Sequence, residues 1–204
     1  MNQDLTHQPV RVGLAGCGSI APSHIRALQT LPYIELAGLA DPDQAAAQRI
    51  RSLWHEDSAA TPSGGPNCYE DLQSLLSLEK PQVVHICTPH QTHVPLAVEA
   101  LDAGCHVLLE KPPAITLADL TVLKQAAARA GKTVGVCFQN RYLPASRQAR
   151  HLLQSGKVGP VRAARAFVTW KRDAAYYAQA PWRGRWATEG GGVMINQAIH
   201  TLDL

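Results

Sequence analysis

The segment 10–21, reading Val-Arg-Val-Gly-Leu-Ala-Gly-Cys-Gly-Ser-Ile-Ala, narrows the folds open to this chain more than any other. A short apolar run ends in Gly16-x-Gly18-x-x-Ala21, and a helical pattern starts at once. Glycine at position 16 permits a tight turn, a bare backbone at Gly18 lets a ligand approach, and the small Ala21 lets the helix pack close to the strand. The free N–H groups and positive dipole end of that helix would then face a group lying over Gly18, Ser19 and Ile20, a setting suited to a pyrophosphate. Taken alone, the spacing also fits any tight strand-to-helix turn. The second half of the signal is Asp41, twenty positions after Ala21 at the end of the next apolar run. A carboxylate there accepts from both hydroxyls of an adenosine ribose and repels a 2′-phosphate. Pro42 and Asp43 follow it rather than a basic residue, so NAD is expected in preference to NADP. The competing reading of Asp41 is a helix cap, which Asp43 could equally supply.

The rest of the first 140 residues repeats the same alternation. Apolar runs at 10–15, 34–40, 83–88, 106–110 and 133–138 read as strands, with helical patterns between them. Thr116 and Asp119 form a capping-box pattern, Leu120, Leu123, Ala127 and Ala130 make one stripe, and Gly131 stops that helix. Ala97, Ala100 and Leu101 line another helix that ends at Gly104. Parallel strands need crossover helices of one hand, so residues 1–140 are expected to form a doubly wound α/β sheet of the Rossmann type. After Phe138 the rhythm changes. Residues 142–155 read as a helix ending at Gly156, and 161–170 as one long strand. A Trp/Arg/Gly-rich loop and a helical pattern over 193–204 follow, the latter with Ile195, Ile199 and Leu202 on one side. That pattern carries no stop signal, and a lone strand is not stable by itself. Residues 141–204 are therefore expected to be the incomplete start of a second, α+β domain. Two stretches, 57–67 and 174–186, read as linker-like.

Composition excludes several classes. A formal net charge of +3 without a Lys/Arg run argues against a nucleic-acid partner. No stretch reaches the ~20 apolar residues of a membrane helix, and residues 1–8 hold no apolar signal core. The five cysteines are scattered without a Cys-x-x-Cys pair, which fits free thiols in a reducing cytoplasm. His90 and His93 are spaced i, i+3 with no acidic or thiol cluster in sequence, so no metal site is expected. His93 reads as a packing or capping residue, and His24, His85 and His106 as structural.

Cys87-Thr88-Pro89-His90, Glu110-Lys111-Pro112 and Gly190-Gly191-Gly192-Val193-Met194-Ile195-Asn196-Gln197-Ala198-Ile199-His200 join the first turn in a wider pattern. Together they resemble the glucose–fructose oxidoreductase, inositol dehydrogenase and MocA family (Gfo/Idh/MocA) from Val10 onward, and Trp182-Arg183-Gly184 resembles members acting on sugar-like substrates. The resemblance implies a Rossmann domain followed by an open-sheet domain, NAD(P)-dependent oxidation of a secondary alcohol of a sugar, inositol or polyol, and assembly as a homo-oligomer. It implies that Lys111 and His200 handle the hydroxyl proton and that Thr88, Pro89, His90, Glu110, Lys111 and Asn140 lie against the cofactor. Arg141, Trp182, Arg183, Asn196 and His200 would meet the substrate. Many relatives carry Asp where this chain has Asn196, and an amide cannot stabilise an imidazolium by charge. His200 with Lys111 is therefore the expected working pair, with Asn196 in an orienting part. An imidazole with an ordinary pKa of ~6.5 suits that task near neutral pH. Two alternatives stay open at this point: an NAD-retaining glycosidase of the same family, and a non-catalytic sugar- or dinucleotide-sensing protein. The chain alone is expected to bind cofactor without turnover, since much of the substrate-reading surface would lie beyond Leu204.

Overall fold

The computed structural model describes residues 8–56 and 65–204. Six parallel strands form one sheet in the order β3-β2-β1-β4-β5-β6: β1 Val10–Ala15, β2 Ile34–Ala40, β3 Asn67–Tyr69, β4 Val83–Ile86, β5 His106–Leu109 and β6 Val134–Val136. The connecting helices are α1 Ala21–Gln29, α2 Gln44–Glu56, α3 Leu72–Glu79, α4 His93–Asp102 and α5 Leu117–Ala130. Val12, Leu14, Ile25, Leu39, Ala47, Ile50 and Trp54 build the core under α1 and α2. Leu75, Val84, Ile86, Ala97, Leu101, Leu109 and Leu123 build the core on the other face, under α3, α4 and α5. Helices cover both faces, so the expected doubly wound sheet is formed. The chain order reverses where β1 lies beside β4, and ligands of such sheets sit at the carboxyl ends of the strands at that point.

Local chemistry accounts for the element ends. Thr116 accepts from the Asp119 N–H at 3.0 Å, and Gly131 closes α5 in the left-handed region at φ 62°. Of the stretch 57–67 that reads as linker, 57–64 lie outside the described residues, and the short β3 begins at its end; among the described residues β3 pairs only with β2, too brief a run for alternation to register. The three later strands end before their apolar runs do, because the chain turns out of the sheet to form the rim of the crevice.

Two expectations for the remainder fail. Residues 161–170 form no strand: Val161, Phe167 and Trp170 are exposed, and no strand among the described residues runs beside them. Side-chain pattern alone cannot satisfy a strand's backbone N–H and C=O groups, which need a neighbour. The helix α6 Pro144–Gln154 forms as expected, followed by the short α7 Ala174–Ala178 and α8 Trp186–Glu189. The final helical pattern divides into α9 Val193–Asn196 and α10 Ile199–Leu202. Its buried side is also not the apolar one: Asn196, Gln197 and His200 are buried, whereas Leu202 is 58% exposed. The polar side turns inward because it faces Lys111 and the crevice above the sheet.

Gly16 carries the tightest constraint on this architecture. It has φ +92°, and a Cβ there would lie 2.7 Å from the Cys87 carbonyl carbon on β4's exit. Gly16→Ala is expected to destabilise the fold by about 2–4 kcal/mol, combining left-handed strain with overpacking, as measured by urea denaturation. Limited trypsin digestion should cut first within 157–173, where Lys157, Arg162, Arg165, Lys171 and Arg172 are exposed on chain without helix or strand. First cleavage within 8–56 or 72–136 would contradict this.

Candidate active site

Strand ends and the loops that leave them build the site. A cavity of about 900 Å³ runs along the carboxyl edge of the sheet, from Gly16, Gly18, Ser19, Ile20 and Asp41 to Lys111, Asn196 and His200. Thr88, Pro89, His90, Glu110, Trp182 and Arg183 line it between those ends. Three of the expected residues do not. Ala21 is fully buried at the start of α1, as its packing part requires. Asn140 lies in the turn after β6, where its carbonyl accepts from the Leu143 N–H. Arg141 pairs with Asp203, donating from Nε at 2.6 Å, and stacks over Phe138.

At the dinucleotide end, Gly18 differs from Gly16. A Cβ at Gly18 would meet nothing within 4 Å, so no protein contact demands glycine there. The open space over it is the room a pyrophosphate would need, and an acceptor stands beside it in Asp41. Asp41 Oδ2 accepts from the Cys17 N–H at 2.7 Å and Oδ1 from the Asp43 N–H at 2.8 Å. Each carboxylate oxygen retains a lone pair for a further donor. The helix-cap alternative falls to Asp43, whose Oδ1 accepts from the Ala45 and Ala46 N–H groups. A cation hidden by sequence distance also appears: Arg49 approaches Asp43 to 3.8 Å in the groove beside Asp41.

Glu110 and Lys111 leave β5 at the centre of the cavity. Glu110 Oε1 lies 3.1 Å from His24 Nε2, and Oε2 accepts from the Lys111 N–H at 3.2 Å. Burial pushes the Glu110 carboxyl up, but the His24 contact and the Lys111 donor outweigh it and hold the group below its ordinary value. His24 Nδ1 in turn meets His85 Nδ1 at 3.1 Å, and His85 is held down at about 3 by burial and then by His24. His24, Glu110 and Cys137 bring one ligand atom each within 4.8 Å of one another. Burial and the Glu110 charge push the Cys137 thiol up to about 12, so it stays protonated and donates to that carboxylate. The cluster thus reads as a hydrogen-bonded one that fixes Glu110. His93 is fully buried, with Nδ1 2.7 Å from the Pro112 carbonyl and Nε2 2.9 Å from the Thr88 carbonyl. It ties the loop after β4 to the loop after β5, a larger part than the packing or capping expected of it.

Lys111 Nζ donates to the Asn196 carbonyl at 2.8 Å and to Asn196 Oδ1 at 3.1 Å. Burial pulls its pKa below the ordinary lysine value, Glu110 and Glu189 oppose that, and Arg183 and Arg172 reinforce it. His200 is buried near the same end, edge-on to Phe138, with Nδ1 free of any partner among the described residues. Burial and then the Lys111 charge pull its pKa below 6.5, which favours the neutral imidazole, a proton acceptor. His90 packs on Trp182 with ring centroids 4.8 Å apart and meets the Glu189 carbonyl through Nδ1 at 2.8 Å. Arg183 spans the faces of Trp182 and Tyr176.

Sequence reasoning missed Tyr176 and Glu189. The Tyr176 hydroxyl accepts from Arg183, from Asn196 Nδ2 at 3.2 Å and from Gln197 Nε2 at 3.4 Å. Glu189 is a buried carboxylate that accepts from Asn196 Nδ2 and from the Gly184 N–H. Only the position of Glu189, directly before Gly190-Gly191-Gly192, could have signalled it.

Burial also makes the site's stability pH-dependent. Burial first, opposed by the Glu189 carbonyl, holds His90 down at about 4 against an unfolded value near 6.5. The unfolded chain then binds more protons between those values. Stability is full above pH 6.5, falls as pH drops through the window, and levels off below about 4. The expected slope is on the order of 1.4 kcal/mol per pH unit for each such histidine. Denaturation midpoints of His90→Phe should show a shallower slope between pH 6.5 and 4 than the parent; equal slopes would refute the assignment.

Comparison with known proteins identifies the family. Residues 10–138 match the family described as "Oxidoreductase family, NAD-binding Rossmann fold" (GFO/IDH/MocA), and residues 146–204 match the GFO/IDH/MocA C-terminal domain. D-glucoside 3-dehydrogenase of Escherichia coli K12 is 30% identical over 100% of this chain and 55% of its own length. A 1-carboxy-3-chloro-3,4-dihydroxycyclohexa-1,5-diene dehydrogenase of Comamonas testosteroni is 32% identical over 96% of this chain and 46% of its own. Among solved structures, the WlbA dehydrogenase of Bordetella pertussis, in complex with NADH and UDP-GlcNAcA, superposes with a TM-score of 0.83 at 30% identity. That match covers 96% of this chain and 57% of the WlbA chain. The chain therefore spans about half the length of the relatives it matches, and it belongs to the Gfo/Idh/MocA family of oxidoreductases.

Proposed function

We propose that this chain binds NAD(H), with NAD preferred over NADP, and serves the oxidation of a secondary hydroxyl of a sugar or polyol or the reverse reduction. The observation that carries the reading is the continuous cavity joining Gly18 and Asp41 to Lys111, Asn196 and His200. Gly16, Gly18, Ser19, Ile20 and Ala21 would shape the turn under the pyrophosphate, and Asp41 would hold the ribose. Thr88, Pro89, His90, Glu110 and Asn140 would border the nicotinamide end. When bound, the dinucleotide supplies the hydride chemistry. The protein supplies orientation and proton transfer. Lys111, an ammonium anchored by Asn196, polarises the substrate oxygen, and neutral His200, its Nδ1 unpartnered, accepts the hydroxyl proton. Trp182 and Arg183 offer an aromatic face and a planar donor fork suited to a polyol, and Arg141, paired with Asp203, would meet the substrate. The chain divides into a cofactor part, 1–140, and a substrate part beginning at 141, and the protein at its relatives' length assembles as a homo-oligomer.

Equilibrium titration with NADH and NADPH fluorescence tests the cofactor claim on the chain itself. NADH is expected to bind more tightly, Asp41→Ala to narrow the gap, and Gly18→Val to weaken both while leaving the denaturation midpoint nearly unchanged. Equal or reversed affinities in the parent would overturn the preference. In the protein extended to the length of its relatives, Lys111→Ala is expected to lower kcat by on the order of 10²-fold with inositols, hexoses or hexosides. His200→Ala should act similarly and flatten the acidic limb of the pH–rate profile with little change in NADH affinity. Turnover near parental levels in both variants would remove the proton-transfer roles.

A further inference from the structure

We propose that Glu189 is a positioning residue: its buried carboxylate fixes which end of the Asn196 amide meets Lys111 and supplies the negative charge behind that contact. Glu189 is only 3% exposed, and a carboxylate removed from water needs donors around it. It has them in the Gly184 N–H, at 2.5 Å from Oε2, and in Asn196 Nδ2 at Oε1. An ionised carboxylate only accepts, so the NH2 end of the Asn196 amide must turn toward it. Oδ1 then necessarily points the other way, to Lys111 Nζ at 3.1 Å, beside the Asn196 main-chain carbonyl at 2.8 Å. The flipped amide would set oxygen against carboxylate and NH2 against ammonium, two repulsive contacts in place of two attractive ones. Glu189 and Asn196 are both buried, so water does not relieve the contact between them. The same residue reaches the cofactor loop, because the Glu189 carbonyl faces His90 Nδ1 at 2.8 Å. One buried side chain and its carbonyl thus hold the Trp182–Gly184 turn, the loop after β4 and the anchor of Lys111 in a single arrangement.

Charge counting around Lys111 gives the consequence. Glu110, His90 and His93 face it from the Rossmann part, and Arg172, Arg183, Glu189 and His200 from the remainder. With Glu189 present, two carboxylates balance two guanidiniums. Glu189→Gln leaves Glu110 alone against both arginines and leaves the amide beside the Tyr176 hydroxyl, which accepts from its NH2 end or donates to its oxygen end, so the ammonium form of Lys111 loses support. A side chain that merely filled space would leave the Lys111 titration where it was. The catalytic consequence rests on the dehydrogenase reading above; the geometry and the titration do not.

The test therefore reads Lys111 directly in the 204-residue chain. Its rate of reductive methylation with formaldehyde and borohydride, followed by peptide mass spectrometry across pH, reports its titration midpoint. Glu189→Gln is expected to lower that midpoint by about one pH unit, the scale of one lost opposite charge, and to raise the rate roughly tenfold at a pH below both midpoints. Glu189→Gln/Asn196→Asp moves the carboxylate to the atom already beside Nζ and is expected to bring the midpoint back to the parental value or above it. An unchanged midpoint in folded Glu189→Gln overturns the proposal. If the single variant fails to fold by circular dichroism, the double variant decides. Folding with a midpoint at or above the parental one supports the assignment; a lowered midpoint or failure to fold overturns it. In the protein extended to its relatives' length, Glu189→Gln should lower kcat about tenfold and move the basic limb of the pH–rate profile to lower pH, with NADH affinity little changed. Absence of dehydrogenase activity in the parent would sink the functional reading, while the Lys111 midpoints would still decide the role of Glu189.

Discussion

The contact of Gly16 with the backbone leaving β4 is the constraint on which the rest of the molecule depends. No side chain fits between Gly16 and the Cys87 carbonyl, so β1 and β4 end level with one another and their loops part to opposite sides. That parting creates the crevice. It places Asp41, from the end of β2, on one side, and Thr88, Glu110 and Lys111, from β4 and β5, on the other. A bulkier residue at 16 would separate the two strands where a dinucleotide needs them close.

Above this rigid floor, polar groups rather than apolar area close the site. Residues 141–204 bury few large hydrophobic side chains, and many of their apolar residues face outward. What docks 174–204 onto the sheet is a set of directed contacts: Lys111 to Asn196, His90 to the Glu189 carbonyl, and His90 against Trp182. Hydrogen bonds involving charged groups are stronger than neutral ones and lose more when one partner is removed in a buried setting. The arrangement is therefore specific in geometry. It is also sensitive to protonation, since lysine, histidine and carboxylate lie within one network.

The same network explains how an amide can stand where a carboxylate would be expected. Asn196 carries no charge, yet its NH2 end contacts a buried carboxylate and its oxygen end an ammonium. The amide dipole lies along that line, so charge on Glu189 is felt at Lys111 through a neutral intermediary. His24 plays a comparable part on the opposite side, holding Glu110 in place beneath Lys111. Both supports lie behind the residues that face the cavity, which is how a site on the end of a strand gains rigidity.

The Rossmann half was legible in the order of amino acids alone, because that half is built from local rules. Gly16-x-Gly18-x-x-Ala21 sets one turn, Thr116 and Gly131 set both ends of α5, and apolar runs of strand length can be buried only in a parallel sheet with helices on both faces. The recurring pattern also singled out Asp41, Lys111, Asn196 and His200, and the fold brings these four to one cavity. What those residues meet was settled only by folding. Tyr176 has no local signature and Glu189 only its place before Gly190-Gly191-Gly192, since their contacts with Asn196 exist only after α7, α8 and α9 fold against one another. Residues 161–170 carry a strand's side-chain pattern but lack a neighbour, and a strand is a property of two chain segments, not one. The last helical pattern showed an apolar stripe, yet its polar side is the buried one. A half-buried lysine imposes a stronger demand for partners than a few exposed methyl groups impose for shelter.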